Sequence, residues 1–166
     1  MKIPMTPRGN AAMRKELQKL KAMRPELSTA IEVARAHGEL SENAEYDAAK
    51  EKSGMVEAKI RDLEAKLTMA DVIDPRKFAN TTKVVFGVSV KLLDVNSEAR
   101  RTISIVGSDE SNIDKGWISF ESPLGRSLIG KEQGEVVEVV LPGGKKEYEI
   151  EEVYVDYTDD LSNLES

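Results

Sequence analysis

Apolar positions recur every three or four residues along the first seventy residues and mostly every second residue in the last ninety. The first series runs Met13, Leu17, Leu20, Leu27, Ile31 and Ala34, missing a beat only at Arg24. A second runs Tyr46, Ala49, Ser53, Val56, Ile60, Leu63, Leu67 and Ala70. Alternating steps of three and four place each series on one helical face, with the spacing of a heptad seam. The stripes are similar in length and joined by a short Gly-containing segment, so they can bury each other as an antiparallel hairpin at small loop-closure cost. Pro25 removes a backbone donor inside the first stripe, which predicts a kink or a fresh start there. An arm of about 25 residues at roughly 1.5 Å per residue spans on the order of 35 to 40 Å.

After Asp74-Pro75-Arg76-Lys77-Phe78 the pattern changes. Strands are predicted over Lys83–Phe86, Ser89–Leu93, Arg101–Val106, Trp117–Phe120, Glu135–Leu141 and Tyr148–Val155, punctuated by Gly87, Gly107, Gly116 and the turn Pro142-Gly143-Gly144. Ser122 to Gly130 reads as a short capped helix between strands. The outcome is a compact, mostly antiparallel α+β domain. Trp117 and Phe120 are expected to pack in its core, because aromatic residues are only 5% of the chain.

Composition narrows the chemistry. The 166 residues contain no cysteine and one histidine, which removes disulfides, thiol nucleophiles, zinc–thiolate sites and clustered-histidine metal sites. Oxygen-ligated Mg²⁺ is what remains. No apolar run reaches the roughly 20 residues of a membrane span and the N-terminus lacks a signal-peptide core, so a cytoplasmic protein is expected. A net charge of −6 argues against general duplex binding. Its distribution is uneven: residues 1–24 carry seven Lys or Arg against the single acid Glu16. A basic base and an acidic tip on one arm would orient it in a partner's field, although Lys and Arg also suit any solvated helix face.

That tip is His37-Gly38-Glu39-Leu40-Ser41-Glu42-Asn43-Ala44-Glu45-Tyr46-Asp47, with four carboxylates in nine residues. Gly38 permits a left-handed end to the first helix. Ser41 is the expected N-cap of the second, which would put Glu42 and Glu45 where the helix dipole favours negative charge. Capping leaves Glu39 unexplained, and local chemistry divides the cluster between a solvated helix start and a functional tip. Two exposed carboxylates bind Mg²⁺ weakly alone but can complete another protein's metal shell. No phosphate loop or activated nucleophile accompanies them, and His37 reads as a surface residue ending a helix.

Several stretches together resemble the bacterial Gre transcript-cleavage factors, GreA type. They are Ile3-Pro4-Met5-Thr6-Pro7-Arg8-Gly9, Ala36 to Tyr46, Ile105-Val106-Gly107 with Ile118-Ser119, Ser122-Pro123-Leu124-Gly125-Arg126, and Leu141 to Gly144 with Tyr148-Glu149-Ile150. The resemblance implies an N-terminal antiparallel coiled-coil hairpin over residues 1–76, a C-terminal FKBP-like α+β docking domain over 77–158, and an acidic tail over 159–166. It implies a monomeric factor, not an enzyme by itself, whose partners are bacterial RNA polymerase, the backtracked nascent RNA and the DNA-bound elongation complex. Glu39 and Glu42 match the two tip acids that help hold Mg²⁺ of the polymerase active site during transcript cleavage, with no cofactor held stably by the factor alone. Asn43, Glu45 and Tyr46 match the supporting turn, Arg35 and Lys50 match flanking basic positions that contact RNA or polymerase, and Ser122, Pro123 and Leu124 match the docking region. The family usually has Asp at the position of Glu39. Two other readings compete: a channel-occupying regulator without cleavage, and a prolyl isomerase or chaperone, for which fold alone supplies no activity.

Overall fold

The computed structural model describes residues 2–37 and 43–158. The chain divides into two units, Ala11–Ala70 and a second that gathers the described residues of Met1–Asn10 and Asp71–Ser166.

The first unit is the hairpin. It contains most of helix α1 (Pro7–Ala22), all of α2 (Arg24–Ala36) and α3 (Ala44–Thr68). Pro25 marks a restart: Met23 N–H donates to Leu20 O at 3.1 Å, and Leu27 N–H picks up Met23 O at 3.0 Å, so the missing Pro25 donor falls in the first turn of α2. Leu20, Leu27, Val56 and Ile60 form the buried seam, with Leu17, Met23 and Leu63 packed against it. Ile60 is wholly inaccessible to solvent. Burying such a side chain is worth about 1.5–3 kcal/mol. The missing beat at Arg24 is filled by charge: its Nε and Nη2 fork onto the Glu57 carboxylate of α3 at 2.8 and 2.9 Å. That contact holds the Glu57 carboxyl below the ordinary range and raises the guanidinium.

The second unit is built on a five-stranded sheet in the order β5-β4-β3-β7-β6. Its strands are β3 (Ser89–Asp94), β4 (Arg100–Val106), β5 (Trp117–Ser119), β6 (Val136–Leu141) and β7 (Gly144–Tyr154). All neighbours are antiparallel except β4 and β5. Helix α4 (Pro123–Leu128) sends Leu124 and Leu128 into the core with Val90, Leu92, Ile105 and Ile150. Two differences from the sequence pattern stand out. Lys83–Phe86 is no strand; it makes one bridge, Lys83 to Glu132, and buries Val84 before Gly87 turns at φ 92°. Strand β7 starts at Gly144, because the polar run Lys145-Lys146-Glu147 pairs with β6 and leaves only Pro142-Gly143 as the loop.

Residues 2–10 belong with this sheet unit, which differs from a division at residue 76. Strands β1 (Ile3–Met5) and β2 (Ala70–Val72) form a separate two-stranded sheet. Glu110 then grips the start of α1. Its carboxylate accepts from Thr6 N–H and Gly107 N–H, both at 3.0 Å, and from the Thr6 hydroxyl, which itself caps Gly9 N–H at 3.1 Å. A Cβ on Gly9 would overlap the Glu110 carboxyl, and one on Gly107 would lie 2.8 Å from Pro4 O. Arg8, only 6% exposed, stacks 3.9 Å from the Trp117 ring centre and 5.0 Å from that of Tyr157. Trp117 is therefore a half-buried platform for a cation instead of the expected core anchor. Phe120 does pack on the core, edge-on to Phe86 at 5.9 Å.

Candidate functional site at the hairpin tip

Helix α2 ends and α3 begins around a single asparagine. Asn43 is the N-cap of α3: its side-chain carbonyl accepts from Tyr46 N–H at 3.0 Å, while its side-chain amide donates to Ala34 O on α2. An amide carries an acceptor and donors at once, so it can cap one helix and tie off the other. Helix α3 starts at Ala44, so the cap expected at Ser41 is corrected to Asn43. Glu45 and Asp47 occupy the first turn of α3, where the dipole favours them.

A second tie lies one residue further along α2. Arg35 Nη2 donates to the Tyr46 hydroxyl at 3.5 Å, with its Cζ 5.7 Å from the ring centre, and Lys50 Nζ lies 5.4 Å from the same centre. The hydrogen bond from Arg35, and then the positive charge of Lys50, pull the Tyr46 phenol below its ordinary pKa. A third tie joins His37 Nδ1 to Glu45 Oε2 at 3.3 Å. Arg35, Asn43, Glu45, Tyr46 and Lys50 are thus brought together. Gly38, Glu39, Leu40, Ser41 and Glu42 lie outside the described residues, so the expected carboxylate pair and the left-handed Gly38 fall there. Among the described residues, no three Asp, Glu or His gather as a metal site. No helix among them is long and apolar enough to cross a membrane.

The docking candidates separate. Ser122 caps α4, accepting from Gly125 N–H at 3.1 Å and donating to Ser119 O at 2.7 Å. Pro123 is exposed. Leu124 is 7% exposed and part of the core, so it is corrected from a surface contact to a packing residue. Gly125 explains the tightness of this corner, since a Cβ there would overlap Ser119 O. Glu110 and the Arg8–Trp117 stack were not anticipated; the clustering of Thr6, Gly9 and Gly107 within the recognised stretches was their only trace in the sequence.

Residues 3–72 match the family described as "Transcription elongation factor, N-terminal", and residues 79–155 match "Transcription elongation factor, GreA/GreB, C-term". The chain belongs to the GreA/GreB family of transcription elongation factors. It is 50% identical over 152 residues to the transcription elongation factor GreA of Vibrio cholerae, covering 92% of this chain and 97% of that protein. The GreA of Ruegeria pomeroyi is 51% identical over 150 residues, covering 90% and 95%. Among solved structures, GreA factor homolog 1 of Thermus thermophilus is 24% identical, with a TM-score of 0.43 over 93% of this chain and 99% of that one. Family membership makes the chain a transcription elongation factor of GreA type. Within the recognised stretches, Thr6, Gly9, Gly107 and Gly125 make their contacts inside the sheet unit, whereas Asn43 and Tyr46 join α2 to α3.

Proposed function

We propose that this Gre-family chain enters the secondary channel of bacterial RNA polymerase tip first, as a cytoplasmic monomer, and stimulates cleavage of backtracked nascent RNA. Glu39 and Glu42 are lent to Mg²⁺ of the polymerase active centre. The observation that carries this reading is the closed stem. Asn43 and Tyr46 tie the start of α3 to Ala34 and Arg35 of α2, on either side of the stretch of sequence that carries Glu39 and Glu42.

The donor chemistry fits the metal, because carboxylate oxygens are the hard ligands that Mg²⁺ prefers. Two of about six positions are too few for an independent site, so the chain acts as a stimulator of the polymerase and not as an enzyme alone. Mg²⁺ at that centre supplies charge stabilisation at the reacting phosphodiester. The chain's own residues bind and orient: Glu39 and Glu42 as ligands, Asn43 and Tyr46 as their support, Pro123 with the Ser122-capped corner as a docking point.

A defined backtracked elongation complex tests this. The chain should shorten the RNA in a polymerase- and Mg²⁺-dependent way, and Glu39→Ala with Glu42→Ala should abolish shortening while still competing with wild type for polymerase. Retained competition with no shortening even by wild type would instead favour a channel-occupying regulator.

A further inference from the structure

We propose that the free edge of β6 is a docking site for an extended segment of a partner protein, one that carries a Lys or Arg between two aliphatic residues at alternate positions. Strand β6 ends the sheet order β5-β4-β3-β7-β6, and among the described residues no strand pairs with its other side. The opposite edge of the sheet is closed, because Trp117 of β5 exchanges backbone hydrogen bonds with Asn112 at 2.8 and 2.9 Å. The ladder shows which groups of β6 are open. Ile150 N–H donates to Glu135 O at 2.9 Å, and Glu147 O accepts from Val95 N–H at 3.0 Å on the side away from β6. Bonded pairs alternate along an antiparallel ladder, so Val137 and Val139 bond to β7, whereas Val136, Glu138 and Val140 turn N–H and C=O outward. The side chains of the same three residues are exposed, Val136 at 57% and Val140 at 67%. Strand β6 carries no Pro, no Lys and no register shift, the devices that usually blunt such an edge.

Charge selects the occupant. Glu138 stands directly opposite Glu147 across the ladder, and like charges so placed are unfavourable. Its ion pair with Lys145 at 3.3 Å lies on the exposed surface, where such pairs contribute little. An added strand with a basic residue facing Glu138 supplies the missing cation, and aliphatic residues two positions to either side meet Val136 and Val140. The strand's backbone takes up the outward N–H and C=O groups. A second copy of this chain is the poorer occupant, since an antiparallel pairing centred on Glu138 sets two Glu138 carboxylates against each other.

The test uses the full chain, isotopically labelled, and a short capped peptide in which Val, Arg and Val alternate with Thr. At saturation the peptide should slow amide exchange at Val136, Glu138 and Val140 on the order of tenfold and leave Val137 and Val139 as they were. The same peptide with Glu in place of Arg should bind on the order of tenfold more weakly. Glu138→Lys should reverse that preference, and Val140→Pro, which removes one outward N–H and no bond to β7, should weaken binding of both peptides. Protection at Val137 and Val139 reports that the sheet of each variant is intact. Unslowed exchange at the three outward amides, or a preference for Arg that survives Glu138→Lys, would overturn the proposal. Slowing that appears without peptide as the chain is concentrated would also overturn it and assign the edge to a second copy.

Discussion

At Glu39 the chain carries one methylene more than the Asp usual in its family. That moves the carboxylate by about 1.5 Å and adds a rotatable bond, against Mg²⁺–oxygen distances of about 2.1 Å. Charge is unchanged, so cleavage activity is expected to be retained, and Glu39→Asp to change the rate without changing polymerase competition. An inactive natural protein beside an active Asp variant would contradict this. Asp94 makes a prediction about pH. Amide hydrogen bonds from Ser97 and Asn96 hold its carboxyl below the ordinary carboxylate range. A carboxylate with a depressed folded pKa contributes stability above its unfolded value, near about 4, and loses it as pH falls through the folded value. Asp74, depressed by Arg76, and Glu57, depressed by Arg24, act in the same sense. Melting temperature should be level above pH about 5 and drop below about 4, and Asp94→Asn should flatten part of that drop. An identical acid slope in the variant would remove Asp94 as a source.

The helices were legible because their periodicity is long. Met13, Leu20, Leu27, Val56 and Ile60 all lie buried where the heptad count put them. Short elements were not, since three-residue strands such as β1 and β2 offer too little alternation to read, and Lys145 to Glu147 look like loop until their partner strand is known. The cap at the tip was misread for a chemical reason. Ser and Asn both cap helices and both can donate while accepting, so local chemistry does not single out Asn43, whose amide accepts from Tyr46 N–H and donates to Ala34 O. Gly54 supplies a test of the hairpin as an element. It lies inside α3 with nothing within 4 Å of where a Cβ would stand. Gly54→Ala should therefore stabilise the hairpin by about 0.5–1 kcal/mol, seen as a higher melting temperature of its helical signal. A lower one would mean that the surface of α3 at Gly54 is not open.

For the whole molecule, the least legible feature is the hold of the sheet unit on the start of α1. Thr6 and Glu110 are 104 residues apart, so no local pattern could pair them. In the stretch Thr6-Pro7-Arg8-Gly9 the hydroxyl, the small residue and the cation each meet a partner within the sheet unit. Glu110→Ala leaves the Thr6 and Gly107 N–H groups without that acceptor, and a lost hydrogen bond of this kind costs about 1–3 kcal/mol. Faster hydrogen exchange at those two amides, with exchange in the α2–α3 seam unchanged, is the expected result; unchanged exchange at Thr6 would show that Glu110 does not hold α1.

The central claim is that the tip lends carboxylates to another protein's metal, and the Mg²⁺ concentration giving half-maximal RNA cleavage in a backtracked complex tests it most directly. Wild-type chain should lower that concentration, whereas Glu39→Ala with Glu42→Ala should leave it at the value of polymerase alone while still competing for the enzyme. A half-maximal Mg²⁺ concentration that the wild-type chain does not change, with cleavage equally fast in the double variant, would contradict the account.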